Sequence, residues 1–209
     1  MKIRKTLLIL LYLSVFVFPS LVLSSPTCFA GPSSMASLEE NFNEVVETLK
    51  SDSFKNMENK AQQDKMYDIL NTNFDFKIIS MLALGRNWRG FSSEQKDEFA
   101  KYFSHLIINV YLHQIRGANL DGIKVDYLKE VDLKTKSSKR SDVYTLFHND
   151  GLDIPVSYRM IQKKDNTWKI YDVLIEGVSL VANYRDTYKT KVVIAPEIII
   201  QELKAKVGK

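Results

Sequence analysis

The sequence predicts an α+β fold: helices first, then a twisted four-stranded antiparallel sheet, then helices again. Three observations carry that reading. Apolar residues recur at helical spacing from Leu38 to about Ile115, the period becomes two between Ile123 and Ile175, and helical spacing returns from Val178. Two turn signals, Asn149-Asp150-Gly151 and Lys164-Asp165-Asn166-Thr167, are short enough to join neighbouring strands into a meander.

Residues 31–37 (GPSSMAS) read as a loose tail. Leu38, Phe42, Val45, Val46 and Leu49 then form an apolar helical stripe. Residues 51–64 are charged and weakly patterned, as in a turn and a short helix. Residues 74–84 are densely apolar, and Gly85 is placed to end that helix. Ser92 with Gln95 forms a capping box that opens a long helix to about Ile115, striped by Phe99, Phe103, Leu106, Ile107, Val110 and Tyr111. Gly117 and Gly122 bracket its exit. Strands are expected over 123–132, around Val143–Phe147, over 154–160 and over 168–175. Gly177 ends the last of them, and helices follow from Val178 to about Lys191 and from Pro196 to about Lys206.

The last strand poses a problem. With strict alternation, Trp168, Ile170 and Leu174 share one face with Asp172, while Tyr171, Val173 and Ile175 share the other. Both faces read as dry, whereas an antiparallel sheet commonly leaves one face wet. One face can pack on the long helix; the other needs a cover or a guest.

Residues 1–30 read as a secretory signal peptide. Lys2, Arg4 and Lys5 precede an apolar run from Leu7 to Phe18, and Cys28-Phe29-Ala30 offers a cleavage site. The run is shorter than the roughly 20 residues of a membrane span, and Pro26 and Thr27 are poor neighbours for a lipidated Cys28. Residues 31–209 form a single domain in this reading. Removing the three basic residues of the signal from the total of 29 leaves 26 against 25 acidic residues. The basic excess therefore belongs largely to the signal and does not point to nucleic acid. The one cysteine also lies in the signal, which leaves no internal disulfide and no thiolate metal site.

Phosphate-loop, dinucleotide, H-E-x-x-H and G-x-S-x-G motifs are absent, and no cofactor is expected. His105 and His113 are eight apart on one helix, not at the i, i+4 spacing of a two-His zinc site, so no metal is expected. Asp172, on an apolar strand, is the best candidate for a general base, against the plainer reading of a paired carboxylate. Arg86, Trp88 and Arg89 could contact an anion or a partner, or could be a solvated helix end. The aromatic set Phe103, Tyr111, Tyr144, Tyr158, Trp168 and Tyr171 suits either a core or a pocket.

FDFKIISMLALGRNWRGFSSEQKDEF (74–99) and VSYRMIQKKDNTWKIYDVLIEGVSLVANYRDTY (156–188) together resemble the MlaC-type periplasmic phospholipid-binding proteins, the toluene-tolerance auxiliary family. The most specific pieces are ALGRNWR with the S-x-E-Q helix start behind it, and WKIYDVLIEGVSLVANYR. A hopanoid-associated branch is also similar. The resemblance implies a curved antiparallel sheet and helices around a deep apolar pocket. It implies a soluble, monomeric carrier in the Gram-negative periplasm that maintains outer-membrane lipid asymmetry. Its partners would be a diacyl phospholipid, an outer-membrane lipoprotein complex and an inner-membrane ABC transporter, with no nucleic acid. Strand and helix phase then nominate Phe103, Ile107, Tyr111, Tyr144, Tyr158, Tyr171, Val173, Ile175 and Val178 as lining residues. Arg86, Arg89, Tyr184 and Arg185 are the candidate contacts to a head group or partner. Rival readings are a hopanoid or other apolar-ligand carrier, an enzyme on a cone-like fold using Asp172, and a periplasmic adaptor with a filled core.

Overall fold

Ser33, not Leu38, starts the helical half. Its hydroxyl accepts a hydrogen bond from the Ala36 N–H at 3.2 Å and caps helix α1, Ser34–Lys50. Glu130 of the sheet accepts from the Met35 N–H at 2.8 Å and from the Ser34 hydroxyl at 3.0 Å. The tail expected over 31–37 therefore shortens to residues 31–33, because a carboxylate distant in sequence satisfies the first turn. The structure, a computed structural model, describes residues 31–115, 122–133, 138–149, 151–189 and 195–207. The signal peptide of residues 1–30, Gly117 at the exit of the long helix and Asp150 of the first turn lie outside the described residues.

Helices α2 (Asp52–Lys55) and α3 (Asn59–Asn73) occupy the weakly patterned stretch, and α4 (Phe76–Leu84) holds the dense apolar one. Asp75 caps α4 by accepting from the Ile78 N–H at 2.9 Å, and its second oxygen accepts from Lys163 at 2.7 Å. Gly85, at φ +56°, ends α4 and leads into a 3-10 turn, Gly85–Gly90. The capping box at Ser92 closes reciprocally. The Gln95 N–H donates to the Ser92 hydroxyl at 3.2 Å and the Ser92 N–H donates to Gln95 Oε1 at 2.8 Å, opening α5, Ser93–Ile115.

The sheet runs in sequence order, antiparallel throughout: β1 (Lys124–Leu133), β2 (Arg140–Asn149), β3 (Leu152–Gln162), β4 (Trp168–Ile175) and β5 (Val178–Ser179). The α+β class stands, with five strands among the described residues where four are expected. Glu176 and Gly177, at φ +50° and +81°, make a two-residue turn that folds Val178 back against Ile175. Helix α6 (Leu180–Lys189) thus begins two residues later than expected, capped by Ser179, whose hydroxyl accepts from the Ala182 N–H at 3.0 Å. Helix α7 spans Pro196–Val207, with proline in the first position.

A bulge resolves the two dry faces of β4. Arg159 pairs with Asp172 and Met160 with Ile170, which leaves Tyr171 without an opposite residue. The extra residue shifts the phase, so Ile170, Val173 and Ile175 share the inner face and Asp172 turns outward with Tyr171. The assignment of Ile170 and Val173 to opposite faces fails because it assumes unbroken alternation. On the outer face, the Arg140 guanidinium lies 5.4 Å from the centre of the Tyr171 ring and covers it.

Two apolar clusters hold the fold. One joins the helices around Ile79, Phe99, Phe103, Tyr188, Ile199 and Leu203. The other seats Leu38 of α1 on the inner sheet face, against Val143, Met160, Trp168 and Ile170. Trp168 also donates its indole N–H to the Pro32 carbonyl at 3.1 Å, anchoring the start of the chain's helical half.

Candidate functional site

Between the inner sheet face and the helices lies a cavity of about 600 Å³, a volume within the range of small-molecule sites. Its helical wall begins with the α1 stripe Leu38, Phe42, Val45 and Leu49. Met66 and Leu70 of α3 and Phe76 and Ile79 of α4 continue it, and Ile107, Ile108, Tyr111 and Leu112 of α5 complete it. The sheet contributes Phe147, Tyr158, Ile170, Val173 and Ile175. The β4–β5 turn and the start of α6 close one end with Glu176, Val178, Ser179, Leu180 and Asn183. Ile175 and Val178 are 40% and 66% exposed, so this end is the mouth.

The size decides what the cavity is not. At roughly 24 cal/mol per Å³ of void, an unfilled space of about 600 Å³ forgoes on the order of 14 kcal/mol, comparable with the whole stability of a domain. A space this large, open at one end, is therefore occupied by solvent or by a guest. The lining is aliphatic and aromatic, and burial raises the pKa of Tyr111 and Tyr158, which keeps both phenols neutral. Among the described lining residues Glu176 alone carries a formal charge at neutral pH. Away from the mouth, the buried Asn73 amide nitrogen has no hydrogen-bond partner among the described residues. A ligand oxygen or a water there would satisfy it.

Of the nine lining residues read from phase, Ile107, Tyr111, Tyr158, Val173, Ile175 and Val178 face the cavity. Phe103 does not. It is fully buried among helices, with the rings of Phe99 at 5.2 Å and Tyr184 at 4.9 Å between centres. Tyr144 lies on the outer face, under the Lys129 ammonium at 4.8 Å, and Tyr171 is turned outward by the bulge. The α1 stripe and Phe147 also line the cavity, and sequence phase does not identify them as lining. The stripe is visible in the sequence, but nothing local says that it faces a hollow. Phe42 meets Phe147 edge-on at 5.4 Å, across the gap between α1 and the sheet.

Arg86, Arg89 and Arg185 converge with Lys189 around a separate surface concavity at the 3-10 turn. Arg185 donates to the Leu82 carbonyl at 2.7 Å, and Asn87 donates to the Tyr188 carbonyl at 3.0 Å, which locks the turn against α6. None of these cations lines the apolar cavity. Tyr184 is not with them; it packs edge-on to Phe103, and burial pushes its phenol pKa up. Trp88 is half-buried, with the Lys96 ammonium 5.7 Å from its ring centre.

Asp172 is 3% exposed and fully engaged. One oxygen accepts from Arg159 at 3.1 Å and from the Ser179 hydroxyl at 2.7 Å, and the other accepts from the Val181 N–H at 3.1 Å. It ties β4 to the first turn of α6 and faces away from the cavity. His105 stacks on Tyr67 with ring centres 4.2 Å apart, and burial lowers its pKa. His148 bridges Asp126 and Asp153 at 3.0 and 2.7 Å, hydrogen bonds that raise its pKa. No helix among the described residues is long and apolar enough to cross a membrane.

The family model described as MlaC protein matches residues 39–198. A solved structure of the phospholipid-binding protein from Ralstonia solanacearum, in complex with a phospholipid, is similar to this chain at a TM-score of 0.70. That protein is 20% identical, and the match covers 85% of this chain and 98% of the other. At that identity the likeness establishes the fold. No curated protein matches the chain.

Proposed function

The chain belongs to the MlaC family, and from that premise we propose that it is a soluble periplasmic carrier of phospholipid. The observation that carries this reading is the apolar cavity of about 600 Å³ with an exposed mouth at Ile175 and Val178. A diacyl lipid crossing water must hide some 30 methylenes, which at roughly 0.8 kcal/mol each cost on the order of 25 kcal/mol to expose. A cavity about as apolar as a bilayer removes that barrier and leaves the transfer nearly neutral, so direction must come from partners. The absence of a nucleotide-binding motif from the sequence suits a passive shuttle.

In this reading residues 1–30 direct export to the periplasm and are removed after Ala30. The carrier passes lipid between an outer-membrane lipoprotein complex and an inner-membrane ABC transporter, sustaining outer-membrane lipid asymmetry. The concavity of Arg86, Arg89, Arg185 and Lys189 is separate from the cavity, which supports a partner contact over a head-group contact for these cations. Asp172 has no oxygen facing the cavity and is spent on holding α6, which weighs against the enzymatic reading.

Organic extraction of protein purified from its native host, followed by lipid mass spectrometry, tests the proposal. Phospholipid near one molecule per chain is the expected result. A hopanoid or another apolar molecule at that ratio would keep the carrier and change its cargo. Protein that is lipid-free as isolated and takes up none from vesicles would remove the reading altogether.

A further inference from the structure

Resting on the carrier reading, we propose that Glu176 makes the cavity mouth a recognition site for the ammonium of a zwitterionic amino-phospholipid and disfavours head groups of net negative charge. Glu176 is the one formally charged residue among the described lining residues. It occupies φ +50°, in the left-handed region, as the first residue of a two-residue hairpin turn. That position ordinarily takes Asn, Asp or Gly, since a longer side chain is disfavoured there. Nothing within the described chain repays the choice: the carboxylate has no hydrogen-bond or ion-pair partner among the described residues. Its backbone is nevertheless fixed, because the Glu176 N–H donates to the Pro155 carbonyl at 2.9 Å.

The neighbours show what such a carboxylate would meet. Ile175 and Val178, on either side of the turn, are exposed apolar residues of the lining, so a chain leaving the cavity passes Glu176 at the water boundary. Asn183 also lines this end of the cavity and carries an amide able to donate to ester or phosphate oxygens. A zwitterionic head group can place its ammonium on Glu176 and its phosphate toward the amide. An anionic head group lacking an ammonium brings its phosphate to the same mouth with nothing to offset repulsion by the carboxylate.

The test loads delipidated full-length mature protein from vesicles of equimolar phosphatidylethanolamine and phosphatidylglycerol, then measures both lipids on the re-isolated protein. An exposed ion pair predicts an enrichment of phosphatidylethanolamine of about two- to five-fold, shrinking as salt is added. Glu176→Asn suits the turn, so it should fold, and it should bring the ratio of the two lipids to about one. Glu176→Lys should favour phosphatidylglycerol. No enrichment in the wild type, or enrichment unchanged in Glu176→Asn, overturns the assignment while leaving a carrier in place. If no lipid enters any of the three proteins, the carrier reading falls and this proposal falls with it.

Discussion

One turn of α5 separates two regions made of the same kinds of residue. Phe99 and Phe103 are fully buried among the rings of Phe91, Tyr184 and Tyr188. Ile107 and Tyr111, next along the same stripe, face a hollow of about 600 Å³. Both regions exclude water from apolar side chains, yet only the first satisfies those side chains with protein contacts. Burial therefore does not say what a residue is buried against. In the solid region a truncation removes protein–protein dispersion, whereas in the hollow one it enlarges a space already there.

The largest expected effect lies in the solid region. Phe103→Ala should destabilise the protein by about 3–5 kcal/mol, read as a lower midpoint in denaturant titration. A loss below about 1 kcal/mol would mean that the helical cluster is as loose as the cavity wall. Asp172→Ala comes next. It leaves the Ser179 hydroxyl and the Val181 N–H without their acceptor, at about 2–3 kcal/mol, while lipid content of the folded fraction should be unchanged. Loss of lipid at unchanged stability would move Asp172 from the joint between β4 and α6 into the site.

Val173→Trp inverts the pattern. The cavity has room for the ring, so stability should change by under about 1.5 kcal/mol, while lipid recovered by extraction falls sharply. Normal lipid content in a folded Val173→Trp protein would show that the cargo lies elsewhere. The smallest stability effect is expected at the mouth. Val178 is 66% exposed, so Val178→Glu should shift stability by no more than about 0.5 kcal/mol. Lipid content should still drop, because the loaded form lays an acyl chain against a new carboxylate that water solvates in the empty form. Melting and lipid analysis on one preparation separate the outcomes. A collapsed melt would place Val178 in a packed core, against its exposure.

Local signals determined much of this molecule. Ser92 and Gln95 named the start of α5, Gly85 named the end of α4, and alternation with turn residues located the principal strands. Such signals are legible because capping, turn geometry and periodicity act over three or four neighbouring residues. Gly177 marked the end of β4, but the two-residue fifth strand depends on pairing across the turn. The family was legible from 74–99 and 156–188 together.

The tertiary structure alone decided which apolar faces meet and which stay apart. The phase of β4 depends on Tyr171 being left unopposed by β3, a property of pairing between strands that no alternation within one strand encodes. The first turn of α1 depends on Glu130, from a strand nearly a hundred residues away. Whether Leu38, Phe42, Val45 and Leu49 close on protein or on a hollow is set by how far the sheet stands from the helices. That distance is fixed by all the packed elements at once, so a helical stripe in the sequence reads the same beside a full core and beside an empty one.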